Sequence, residues 1–148
     1  MGMYDEKTGD LITWLKTKAA ITAVVGTGTA AQIYPRREPQ DVTGRALVFD
    51  RVTGQQFINL GQESGIRRDV LHFYSYGDKA SEADGLDEIV HDVLSPGGVP
   101  LREVTMVAVV VNLVRQLDGP SNGEDMPVKS DARYRYWTMS AYEFYLRQ

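Results

Sequence analysis

RRDVLHFYSYGDKASEADGLDEIVHDVL, residues 67–94, changes its period once, and that change decides the fold. Val70, Leu71, Phe73, Tyr74 and Tyr76 are β-branched, apolar or aromatic, the side chains that suit a pleated surface. The run stops at Gly77-Asp78, where the Asp78 carboxylate is placed to cap a helix by accepting from free backbone N–H groups. Beyond it Ala83, Leu86, Val90 and Val93 recur at spacings of three and four, which predicts one apolar helical face. Glu82, Asp84, Asp87, Glu88, His91 and Asp92 occupy the opposite side, and Ser95-Pro96-Gly97-Gly98 ends the helix. The stretch is a strand feeding an amphipathic acidic helix that folds back onto a sheet.

Upstream, residues 5–19 predict a first helix with an apolar stripe of Leu11, Ile12, Leu15 and Ala19, capped by Asp5 or Thr8. Ala20 to Val25 adds a short turn closed by Gly26. A short strand at 31–34 ends at Pro35, 36–44 is loop by composition, and a second strand runs over 46–52. Thr53 to Ile66 is long for a hairpin connection and holds Phe57, Ile58 and Leu60, which a solvated loop does not need. It is either a two-stranded arm or a segment that meets a partner.

Downstream, 104–117 reads as one long strand, apolar on both faces and therefore central or at an interface. Asp118 to Asp131 is turn-rich, a candidate mobile loop, and 132–147 is a final aromatic strand. The expected architecture is α+β: a mostly antiparallel β-sheet with two helices packed on one face, order α-β-β-β-α-β-β, in a single domain over 1–148 with protruding loops at 53–66 and 119–131.

Composition narrows the chemistry. With 148 residues and 43% apolar side chains the chain can build a core. It has no cysteine, which removes disulfides, thiolate metal sites and a thiol nucleophile. The polar, acidic start MGMYDEKTGD is unlike a signal peptide, and the longest apolar run, 106–111, is far too short to span a bilayer, so no membrane partner is expected. A net charge of −4 argues against dominant sequence-independent DNA binding.

No catalytic, cofactor or metal residue is assigned. Glu88 and His91 have the Glu-x-x-His spacing of carboxylate metal sites, but there is no second copy and the group opposes the apolar stripe. It reads as a solvated polar face, with a small metal-dependent hydrolase using Asp87, Glu88 and His91 as the enzyme alternative. His72, inside a strand, reads as packed. Gly26-Thr27-Gly28-Thr29 lacks the Gly-Lys-Ser/Thr of a phosphate loop and reads as a turn.

Charge layout says more. Arg36, Arg37, Arg45, Arg51, Arg67 and Arg68 fall on the first three strands and their loops, while the second helix carries Glu82, Asp87 and Glu88. Together these nine form a candidate subunit interface, in which the basic side of one copy meets the acidic side of the next. The bland alternative is scattered surface charge.

Several short motifs then combine: Ala-Val-Val-Gly (23–26), Gln-Ile-Tyr-Pro (32–35), Pro-Gln (39–40), Ala-Leu-Val-Phe (46–49), Tyr-Ser-Tyr-Gly-Asp-Lys-Ala-Ser-Glu-Ala (74–83) and Tyr-Arg-Tyr-Trp-Thr-Met-Ser-Ala-Tyr-Glu-Phe (134–144). Their order and spacing, over about residues 8–147, resemble the tail-completion and tail-terminator proteins of long-tailed, siphophage-type bacteriophages. The insert at 119–131 and the acidic stretch before the first helix depart from that pattern. The resemblance implies a structural virion protein, made in the host cytoplasm and located at the tail–neck junction. It implies a homo-oligomer, a hexameric ring at the head-proximal end of the tail tube that ends tube growth and joins the tail to the head–neck connector. It implies no reaction and no cofactor. The partners would be the phage tail tube protein and head–neck connector proteins, with DNA passing through the lumen without specific binding. Candidate tube or neck contacts are Phe57, Ile58 and Leu60 in one loop and Glu124, Asp125 and Met126 in the other. A head-completion adaptor of the neck is the alternative within that class.

Overall fold

The structure, a computed structural model, describes residues 3–4, 9–39, 42–59, 62–125 and 134–147, with backbone only at 55–59 and 62–65. The fold is α+β, built on a mixed six-stranded sheet. Helices α1 (Asp10–Leu15) and α2 (Ala19–Val25) come first. Strands β1 (Ile33–Pro35), β2 (Ala46–Asn59) and β3 (Gln62–Gly77) lead into helix α3 (Ala80–Leu94), and β4 (Leu101–Met106), β5 (Val109–Asp125) and β6 (Arg135–Arg147) follow. The strand order is β1-β2-β3-β6-β5-β4, antiparallel except for the β1–β2 edge.

The 67–94 stretch folds as its pattern predicts: β3 runs straight into α3 through Gly77. A Cβ on Gly77 would meet the Glu82 Cβ at 2.6 Å and the Ala83 nitrogen at 3.0 Å, so only glycine lets the helix start this close to the strand. The cap differs. Asp78 does not cap α3; its carboxylate accepts from Gly44 N–H (3.0 Å) and Arg135 Nη1 (2.8 Å). Glu82 instead reaches back to accept from the N–H of Asp78 at 3.1 Å, one residue ahead of the N-cap Lys79.

The element order also differs in two places. The first helical stretch is two short helices separated by a turn at 16–18, and the proposed caps Asp5 and Thr8 lie outside the described residues. The run read as one strand over 104–117 is a hairpin, β4 turning into β5 at Val107-Ala108. Val107 sits at φ 58, a conformation that β-branched side chains avoid. Asp10, at the start of α1, compensates: its Oδ2 accepts from the N–H groups of Ala108 (3.1 Å) and Val109 (3.0 Å). The turn is made by a carboxylate 98 residues away in sequence, which no local pattern reveals.

Sheet parity separates two surfaces. The core cluster unites Leu11, Leu15, Ile21, Leu86 and Val90 of the helices with Leu47, Phe49, Leu71, Phe73, Tyr142 and Phe144 of the strands. Phe73 is its centre, 5.6 Å edge-on to Tyr142 and within 6.4 Å of the rings of Phe49 and Phe144. The opposite parity carries Val48, Val70, His72, Tyr74, Tyr76, Trp137, Met139 and Ala141, none of which belongs to that cluster. Here Tyr74 lies edge-on to Trp137 at 5.5 Å, and Trp137 covers Gly123 on β5, where any Cβ would strike the indole.

Candidate functional site

Three regions gather charged or polar groups. The first lies between α3 and β6. Asp84, Asp87 and His91 repeat at helical spacing, and Thr138, Ser140 and Tyr142 repeat at strand spacing on the facing side of β6. Thr138 Oγ1 donates to Asp84 Oδ1 (2.6 Å), Ser140 Oγ donates to Asp87 Oδ1 (2.8 Å), and the Tyr142 hydroxyl lies 3.1 Å from His91 Nδ1. Asp87 is therefore not part of a solvated face: it is 7% exposed and its carboxylate is spent inside the chain. Burial pushes its pKa above the ordinary carboxylate value, only partly offset by the Ser140 hydrogen bond and His91. Burial likewise pushes the Tyr142 hydroxyl up. Glu88 stays exposed. Asp87, Glu88 and His91 nevertheless line one open space of about 310 Å³, together with Asp92, Gln116 and Pro120, and no cluster placed to hold a metal ion occurs among the described residues.

The second region is an ion-pair network on the face away from the core cluster. Glu143, 1% exposed, is held by Arg68 Nε at 2.6 Å and by Arg115. Burial alone would raise its pKa, but the two guanidiniums outweigh burial and hold it below the usual carboxylate value. At the other end of β6, Arg135 binds Glu38 through two parallel hydrogen bonds (2.9 and 2.8 Å), donates to the Gly44 carbonyl (2.6 Å) and to Asp78 Oδ1 (2.8 Å), and stacks over Tyr76. One buried arginine thereby ties the segment after β1 to the last strand and to the entry of α3.

The third is a basic pocket. Arg36, Arg51 and Arg67 meet around an open space of about 360 Å³ that Met3, Tyr4, Pro35, Phe49 and Asp50 complete.

The nine residues of the candidate subunit interface therefore separate. Arg67 and Arg68, adjacent in sequence, lie on opposite faces of β3: Arg67 pairs with Asp69 at 2.9 Å and Arg68 with Glu143. Arg45 and Glu82 are 3.8 Å apart within one chain, so the basic and acidic regions touch internally. Arg36, Arg37, Arg51 and Glu88 remain exposed.

Of the candidate contact residues, Phe57 and Ile58 are in β2, where 53–59 and 62–66 are strand, as the two-stranded-arm reading of this stretch has it, rather than loop. Leu60 and Met126 lie outside the described residues. Glu124 and Asp125 pair with Tyr136 and Arg135 as the end of β5, so 119–125 is strand, and Asp125 accepts from Trp137 Nε1 at 3.2 Å. The Arg135 clamp escaped sequence reading because its partners are 57 to 97 residues away. The α3–β6 ladder did have a signal, two polar series at complementary periods.

No protein-family model matches the chain, and comparison with curated proteins finds no match either.

Proposed function

We propose that this protein is a structural component of a long-tailed phage, forming a ring at the head-proximal end of the tail tube and joining tail to neck. A core face that packs on helix residues and an opposite face with exposed or half-buried aromatics among the described residues would suit a subunit that associates with copies of itself. The observation that carries the reading is where the two long ladders end. β3 pairs with β6 from Ile66 to Gly77, so the β2–β3 ladder, which runs on to the Asn59–Gln62 pair, overruns the sheet beside Arg147. The β5–β6 ladder closes at Asp125–Arg135, next to Gly77, at the other end. A ring subunit needs one contact toward the tube and one toward the neck, and two ladders that end at opposite ends of one sheet would supply that polarity. The test is negative-stain imaging of particles from a phage lacking the gene. Overlong tubes are expected if the protein ends tube growth, and normal tails detached from full heads if it chiefly joins. Intact infectious particles would overturn the reading.

A further inference from the structure

The basic pocket has features that surface arginines do not share. Arg36 occupies φ 72, a left-handed conformation uncommon for a side chain of its size and one where glycine or asparagine is expected. Its backbone is held there by the Arg36 N–H donating to the Phe49 carbonyl at 2.8 Å. Strained positions of this kind gather at binding sites, where the surrounding structure fixes them. The strand after it brings up Arg51, whose guanidinium stacks 5.7 Å from the Tyr4 ring centre and is thereby oriented. Arg67 completes the set from β3. Its Nη2 pairs with Asp69, which is fully buried and also accepts from the Tyr4 hydroxyl at 2.5 Å. Burial, then Asp69 itself, pushes the Tyr4 hydroxyl far up, so it stays a neutral donor. Arg67 Nε is buried with no partner among the described residues.

The charges do not balance. Three guanidiniums line the space with one carboxylate, Asp50, and even counting Asp69 behind Arg67 a positive charge is left over. Arg36 and Arg51 form no ion pair with any described residue. Like charges held around one small space repel, and the group that relieves this best is an oxyanion, whose oxygens match the guanidinium fork. The volume of about 360 Å³ accepts a small anion or the end of a side chain.

We propose that the pocket formed by Tyr4, Arg36, Arg51 and Arg67 binds an oxyanion, either a free phosphate-type ion or a carboxylate group. This does not depend on the virion reading. A carboxylate would reach the pocket on a protein partner; a phosphate would act as a free ion that bridges the N-terminal segment to β2 and β3.

The experiment is calorimetric titration of the purified full chain with inorganic phosphate, and separately with acetate, against sodium chloride at matched ionic strength. Saturable binding of either anion beyond chloride is expected, phosphate alone marking a tetrahedral ion and acetate alone a carboxylate. Arg51→Gln and Arg36→Gly, the second of which relieves the backbone while removing the charge, should each weaken binding about tenfold, in line with the loss of one charge-assisted hydrogen bond. Arg102→Gln, on the exposed edge strand β4, removes the same charge elsewhere and should leave binding unchanged. Thermal unfolding of each variant confirms that it is folded. No binding beyond chloride for either anion, or equal weakening by Arg102→Gln, would overturn the proposal.

Discussion

Arg135 grips Glu38 with two parallel hydrogen bonds across 97 residues of sequence, and both side chains are almost fully enclosed. This pair, with Gly44 and Asp78 as further acceptors, fixes the segment that follows β1. Truncating one member leaves the other charge buried and unpaired. Arg135→Ala should cost about 3–5 kcal/mol, and Arg135→Lys should recover only part of it, because an ammonium lacks the fork. Denaturant unfolding measures both; a loss below about 1 kcal/mol for Arg135→Ala would show that the clamp contributes little.

Asp87 should make the protein more stable in acid. Its folded pKa is raised by burial, so the folded state holds the proton more tightly than the unfolded chain. That contribution is fully present below the unfolded carboxylate pKa and is lost as pH rises through the folded one. Asp87→Asn keeps an oxygen to accept from Ser140 and removes the buried charge. It should raise the Tm at pH 7, with the difference from wild type shrinking as the pH is lowered. A Tm penalty for Asp87→Asn at pH 7 would contradict this assignment.

Glu143 has the opposite sign. Its folded pKa is depressed, so its stabilisation is present above the unfolded carboxylate pKa and disappears as pH falls through the folded value. Glu143→Gln should therefore destabilise at neutral pH, and the deficit should narrow on acidification. Unfolding curves across pH 3–7 for the two variants should show slopes that change in opposite directions.

The Val107 turn depends on Asp10. Removing the carboxylate with Asp10→Ala strands two N–H groups at a strained turn and should cost about 2–3 kcal/mol. Val107→Gly, which relaxes the φ of 58, should make the protein less sensitive to the loss of Asp10. A double-mutant cycle measures the coupling; strict additivity would mean the carboxylate does not hold the turn.

Gly77→Ala tests the junction of strand and helix. The added methyl would overlap the Glu82 Cβ at 2.6 Å, and the Ala83 nitrogen leaves no room for it to move. A loss of about 1–3 kcal/mol is expected, with hydrogen exchange increased first in the opening turn of α3.

Sequence reading succeeded where period and local chemistry agree. β3 and α3 emerged from a single change of period, and Ala46 to Asp50 and Arg135 to Arg147 from their β-forming side chains. It failed where tertiary contacts override local pattern. Val107-Ala108 carries no turn residue, so the β4–β5 hairpin was read as one strand; Asp10 supplies from afar what a glycine or asparagine would supply locally. Gly119, Pro120 and Gly123 made 118–125 look like loop, yet the ladder to β6 continues through it, with register shifts between Gln116 and Ser121 and with Trp137 filling the space above Gly123. For the charged set, the pattern did not reveal which face each arginine takes. Arg67 and Arg68 diverge because adjacent strand residues must, and Asp87 faces inward because β6 offers it a hydroxyl.

The latest strand in sequence order, β6, lies in the middle of the sheet, between β3 and β5. Until residues 135–147 leave the ribosome, the β2–β3 and β4–β5 hairpins have no ladder in common, and each offers an open edge to whatever is nearby. Leu71 and Phe73 wait in that interval without Tyr142 and Phe144 beside them. The arrival of β6 is therefore one closing step that joins two halves, and the nascent chain is most exposed to chaperones, or to mispairing with a neighbour, just before β6 emerges.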